Sequence, residues 1–265
     1  MTRTPVLYLP HGGGPLLLLG DPSHAPLSLF LEGIGKRLGD PAAILIISAH
    51  WEEKHPTLTS GGHPSLIYDY YGFPEESYRI KYPAPGSPEL STRTAELLVS
   101  AGFECRENPE RGFDHGMFVP LKLIFPNANI PCVQLSLNRH LNSQWHLQMG
   151  KALSSLRKEN VLIIGSGLSF HNMQAFNSAS NPKLSAEFDL WLAETCTDPS
   201  LSISEREQRL VEWETAPQAR FCHPREEHLL PLHVCYGAAQ SESPIARTVF
   251  NDSLMGHFIS GFLWE

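Results

Sequence analysis

The sequence predicts one α/β domain over residues 1–265, with a central, mostly parallel or mixed sheet flanked by helices. Three observations carry this. Pro5 to Pro10, Ala43 to Ser48, Pro131 to Leu137 and Val161 to Ser166 are short apolar runs. They are too brief for helices and apolar on both faces, as strands covered from each side must be. The stretches between them carry apolar residues at helical spacing. No internal repeat, low-complexity segment or linker divides the chain.

Taken in order, the first run, Pro-Val-Leu-Tyr-Leu-Pro, reads as a buried strand closed by a proline, and Ser28 to Leu38 as the helix that follows. Asp40-Pro41 precedes the second strand. Tyr68 to Gly86, rich in Pro, Gly and Tyr, reads as a long loop over a site. Pro88 to Ala101 is a predicted helix with Ser87 as N-cap and Pro88 in the first turn. Further helices are expected at Ser143 to Lys158, Pro182 to Thr195 and Ser202 to Glu214. Pro224, with Glu226 and Glu227 behind it, reads as one more helix start, which Pro231 should bend or delay.

Composition sets bounds on function. Hydrophobic residues make up 42% and charged residues 18%, so a sizeable core is expected. The net charge is −8 with no basic block, which argues against nucleic acid as a partner. Leu16 to Leu19, closed by Pro15 and Gly20, falls far short of a membrane span, and the first residues show no signal-peptide pattern. Five cysteines without CxxC spacing speak against a disulfide framework or zinc ribbon, so a cytoplasmic protein is expected. The oligomeric state is not legible.

Histidine is the outlier, with 13 copies. The first strand ends in Pro10-His11-Gly12-Gly13-Gly14-Pro15, the second in Ser48-Ala49-His50-Trp51, and the fourth in Gly165-Ser166-Gly167 with His171-Asn172 just beyond. Ligands of open α/β sheets collect outside the carboxyl ends of strands, where such histidines can point at one atom. The glycines let backbone crowd a metal or substrate; the Gly-Lys-Ser/Thr signature of a phosphate loop is missing. Asp114-His115-Gly116 suits a turn presenting an imidazole, or one that His115 merely caps. His228 and His233 do not have zinc-protease spacing, and Ser166 lacks the frame of a nucleophile elbow. His55 and His63 are expected to face solvent, and His24, His140, His146 and His257 to lie on the surface or on helix faces.

These motifs, with Tyr70-Tyr71-Gly72-Phe73-Pro74 and His223-Pro224-Arg225-Glu226-Glu227-His228, resemble the class III extradiol dioxygenases, most closely the DOPA 4,5-dioxygenase branch. The resemblance implies a metal site at the carboxyl ends of the strands, with His11, His50 and His228 holding one divalent ion. Fe(II) is expected for activity, and Zn(II) can occupy such a site. A carboxylate from Glu226 or Glu227 is the alternative third ligand. The resemblance also implies His171 as acid/base, His115 near the oxygen-binding position, and Tyr71 and Asn172 beside the substrate, within pocket walls formed by Tyr68 to Pro85 and Asn172 to Asn181. The reactants would be a DOPA-like catechol and dioxygen. A zinc-dependent hydrolase and a non-catalytic Memo-like scaffold are the competing readings of the same fold.

Overall fold

The four apolar runs lie side by side in an eight-stranded mixed sheet, in a computed structural model that describes residues 3–176 and 181–265. The first half of the chain forms β1 (Val6–Pro10), α1 (Ala25–Leu38), β2 (Ala43–Glu53), β3 (Thr57–Thr59), α2 (Pro88–Ser100), β4 (Arg106–Asn108) and α3 (His115–Ile124). Then come β5 (Cys132–Asn138), α4 (Ser143–Leu153), β6 (Val161–Gly167), α5 (Met173–Phe176), α6 (Pro182–Thr197) and α7 (Ile203–Val211). The chain ends with α8 (Ala219–Cys222), α9 (Leu230–Ala239), β7 (Arg247–Leu254) and β8 (His257–Trp264).

Strand order is β4-β3-β5-β2-β6-β1-β8-β7. The central four, β5, β2, β6 and β1, are parallel. Every residue of β1, β5 and β6 is buried, which explains their unbroken hydrophobicity. Parallel register aligns their ends: Ser48 pairs with Ser166, and Pro10 with Gly167. Residues just past these pairs therefore emerge along one rim of the sheet.

Alternate residues of β6 serve opposite faces. The Cα atoms of Gly165 and Gly167 approach the carbonyls of Pro231 and His228, whereas Ser166 donates to the carbonyl of Gly116 in α3. Segment 228–239 thus covers one face, and α3 the other.

The strands and helices expected from sequence are present, several with the anticipated caps. Ser87 Oγ accepts the Leu90 N–H at 3.2 Å, and Ser202 with Glu205 closes a capping box on α7. Two expectations need correction. Residues 114–116 open helix α3 instead of an isolated turn. Pro224 starts no helix; α9 begins at Leu230, with Pro231 in its first turn, where the missing N–H removes no intrahelical bond. No helix among the described residues is long and apolar enough to cross a membrane.

Candidate active site

His11 follows β1 directly, its N–H bound to the Gly167 carbonyl at 3.1 Å. Its Nδ1 lies 3.1 Å from Ser166 Oγ. That hydroxyl's only proton goes to the Gly116 carbonyl, so Nδ1 of His11 is the donor and Nε2 is left with a bare lone pair.

His50 lies where the pairing of β2 with β5 skips from Ile47 to Glu52, two residues past the last pair with β6. The irregularity turns its ring out of the ladder. Ser48 Oγ accepts the His50 N–H at 3.2 Å and donates to Asp114 at 2.8 Å. Nε2 of His50 then stands 3.0 Å from Nε2 of His11. Two nitrogens bound at about 2.1 Å to one ion, at right angles, would be about 3.0 Å apart, so this spacing fits a shared cation.

His228 lies in the turn before α9, and its carbonyl accepts from Leu168 N–H and Tyr8 Oη, both at 3.0 Å. A Cβ on Gly167 would come within 2.1 Å of that carbonyl, so only glycine permits this approach. Glu227 Oε1 takes the Nδ1 proton of His228 at 2.8 Å. The ring centroids of His11, His50 and His228 form a nearly equilateral triangle with sides of 4.8, 5.0 and 5.2 Å.

Two further imidazoles flank the triangle. His115, first residue of α3, turns both its N–H and its Nδ1 to Asp69 Oδ1, at 2.9 and 2.8 Å, and its ring stands 3.9 Å from His50. His171 stacks on His228 at 3.4 Å, with its Nδ1 3.1 Å from the same Glu227 oxygen. Candidate ligand atoms of His11, His50 and His115 all lie within 4.8 Å of one another, and so do those of His171, Glu227 and His228. Glu227 meets both rings on their Nδ1 side, the position of an orienting anion behind a ligand, while Glu226 pairs with Arg220 at 2.7 Å.

Electrostatics keep this cluster ready for a cation. Burial first, then the neighbouring imidazoles, hold the pKa of His11 and His228 well below the usual value. Burial and His115 do the same for His50, against an opposing pull from Asp69. Neutral imidazole is the form that binds metal. Burial pushes the Asp69 and Glu227 carboxyls up, but hydrogen bonds from His115 and His171 respectively outweigh it and leave both low. Asp114, beneath the site, is raised by burial and Asp69 despite bonds from Ser48 and Gln134.

A cavity of about 410 Å³ opens above the histidines. Tyr70, Tyr71 and Phe73 line it, as expected for the Tyr68–Gly86 loop, and Tyr71 is 91% exposed at the rim. Asn172 does not line it: its amide donates to the Phe221 carbonyl at 2.7 Å and its Oδ1 caps Ala175 N–H at 3.0 Å, fastening α5. Residues 177–180 of the expected pocket loop lie outside the described residues. Burial corrects two other expectations, because His24 and His257 are interior, while His146 lies on the buried face of α4. His24 Nε2 accepts the Gly13 N–H at 3.0 Å and so anchors the glycine loop, where Gly12 has φ +77°. Asp69, Ser166 and Glu227 fix the ring tautomers, a role the sequence did not signal; Glu227 was expected only in a helix start or as an alternative ligand.

A cluster of oriented imidazoles that could hold a metal, under a largely apolar cavity at the carboxyl rim of an α/β sheet, has the layout of an enzyme active site. Residues 5–263 match the family described as the catalytic LigB subunit of aromatic ring-opening dioxygenase. The 4,5-DOPA dioxygenase extradiol of Beta vulgaris is 40% identical, covering 89% of this chain and 87% of its own. The dioxygenase tasH of Hapsidospora irregularis is 38% identical over 100% of this chain and 86% of its own. The crystal structure of an uncharacterised protein from Escherichia coli K12 superposes with a TM-score of 0.80 at 29% identity, covering 99% and 100% of the two chains. The chain belongs to the LigB family, and it is an oxidoreductase of the aromatic ring-opening dioxygenase class.

Proposed function

We propose that the protein opens a catechol ring beside its hydroxyl pair, at one Fe(II) ion held by His11, His50 and His228. The supporting observation is the triangle of the three rings: Nε2 of His11 and His50 stand 3.0 Å apart, Ser166 and Glu227 hold Nδ1 of His11 and His228, and Asp69 stands 3.9 Å behind Nδ1 of His50. Three protein ligands on one side leave room for both catechol oxygens and dioxygen. The ion, when bound, acidifies the catechol hydroxyls and holds the two reactants adjacent.

The protein supplies proton transfer and orientation. His171, tied through Nδ1 to Glu227, presents Nε2 to the cavity; that atom takes the second hydroxyl proton and returns it as the ring opens. His115, fixed by Asp69, faces the same space and hydrogen-bonds the incoming oxygen. Both atoms of dioxygen end in the product, a ring-opened semialdehyde acid. The five cysteines are free thiols, in keeping with a reducing cytoplasm.

Metal exchange tests the reading. Zinc binds neutral imidazoles well but cannot cycle electrons. The stripped protein reloaded with Fe(II) should consume oxygen with catechols and form a yellow product, whereas the Zn(II) form should bind catechols without turnover. Turnover with zinc and none with iron would replace the dioxygenase by a hydrolase. Oxygen uptake with neither ion would leave the non-catalytic scaffold.

A further inference from the structure

The walls of the cavity carry no formal charge apart from what its histidines can take. No Lys, Arg, Asp or Glu among the described residues lines it, and residues 177–180 read Asn-Ser-Ala-Ser, so they add none. Away from the histidines the wall is largely hydrocarbon, gathered from separate parts of the chain. Leu16 comes from the loop after β1, Phe73 from the 68–86 loop, Met173 and Phe176 from α5, and Leu254 and Met255 from the β7–β8 hairpin. Leu254 is buried, while Met173 and Met255 are 59% and 42% exposed, so the apolar surface runs from the interior to the rim.

The nearest ions offer a charged substrate nothing. The nearest carboxylates, Asp69 and Glu227, stand behind His115 and His171. Arg225 is engaged by Glu52 and Glu227, and Arg111 lies over Trp51 at 4.4 Å with Asp114 at 3.5 Å. A substrate carboxylate would lose its hydration without gaining a cation.

Met255 is placed there against local preference. Met255 and Gly256, at φ +50° and +84°, form the two-residue turn between β7 and β8. Such turns favour Asn-Gly, and the left-handed region disfavours a side chain like that of methionine. A thioether at this tip contributes apolar, adaptable surface to the cavity rim.

We propose that this wall is an apolar subsite, and that the protein acts on catechols bearing an uncharged, hydrocarbon-like ring substituent in preference to those bearing a carboxylate or an amino-acid side chain. The proposal rests on the catechol reading of the same site. Each methylene buried against the wall strengthens binding about fourfold. The test is kcat/KM of the Fe(II)-loaded protein for 4-methyl-, 4-ethyl- and 4-propylcatechol, against 3-(3,4-dihydroxyphenyl)propionate and DOPA. Calorimetric binding of the same compounds without oxygen gives a second readout. Both should rise about fourfold per methylene, and the two carboxylates should fall tenfold or more below 4-propylcatechol. Met255→Asn, which suits the turn, should flatten the rise. Met255→Lys should move the ratio of propionate to propylcatechol at least tenfold toward the acid. A flat alkyl series, or carboxylates used as well as neutral compounds, overturns the subsite even if catechol itself is cleaved. If nothing is cleaved but calorimetry keeps the rise, the subsite stands and the dioxygenase reading fails.

Discussion

One oxygen of Glu227 faces Nδ1 of His228 at 2.8 Å and of His171 at 3.1 Å, so a single buried carboxylate sets the tautomer of the proposed metal ligand and of the proposed acid/base beside it. Both rings line the cavity, and that of His228 lies 5.2 and 5.0 Å from those of His11 and His50. Alanine at each should separate the roles. His228→Ala is expected to lose the metal. His171→Ala should keep metal and catechol binding while ring cleavage falls by about two to four orders of magnitude. Metal analysis with single-turnover kinetics decides this. If His228→Ala keeps its metal and His115→Ala loses it, the third ligand is His115, whose ligand nitrogen lies within 4.8 Å of those of His11 and His50.

At the level of elements, the site depends on how closely β6 approaches the turn before α9. A methyl group on Gly167 would sit 2.1 Å from the His228 carbonyl, so Gly167→Ala must displace either the strand or His228. Overpacking of this kind costs about 1–3 kcal/mol. We expect that loss in urea denaturation, together with weaker zinc binding by calorimetry; wild-type values in both would show that the turn can yield. The sequence made β6 and its glycines legible because a parallel central strand must be apolar on both faces. The histidines were legible because such strands deliver ligands at their ends. Less was legible where tertiary context decides. Strands β3 and β4 have three residues each, and β7 is mostly polar and exposed, with no Asn-Gly turn to mark its hairpin. Helix α3 is buried over most of its length and contains Pro120, so it shows little of the amphipathic pattern that marks a helix. Asp69 and Glu227 were not legible as orienting groups because folding alone chooses which carboxylate meets which ring.

Across the whole molecule, much of the histidine serves the fold and not the chemistry, and this should show in its response to acid. His146 is fully buried, with Nε2 accepting the Asn138 N–H at 3.0 Å and Nδ1 donating to the Asn142 carbonyl at 2.7 Å. Burial pushes its pKa down to about 3, against a smaller upward pull from the Asn142 bond. His223, buried against the Ser169 carbonyl, is likewise lowered by burial to about 3. In the unfolded chain each would protonate near 6.5. Between those limits the unfolded state binds a proton that the folded state refuses. Stability is therefore full above about pH 6.5 and falls as pH drops toward 3, by about 1.4 kcal/mol per pH unit for each such group. Glutamine at position 146 cannot take up that proton. His146→Gln should be less stable than the parent at pH 7, yet lose stability less steeply between pH 6 and 4, by about one proton in the linkage slope. Urea denaturation of both proteins across that range measures it, and parallel slopes would show that His146 is not a source of the acid sensitivity.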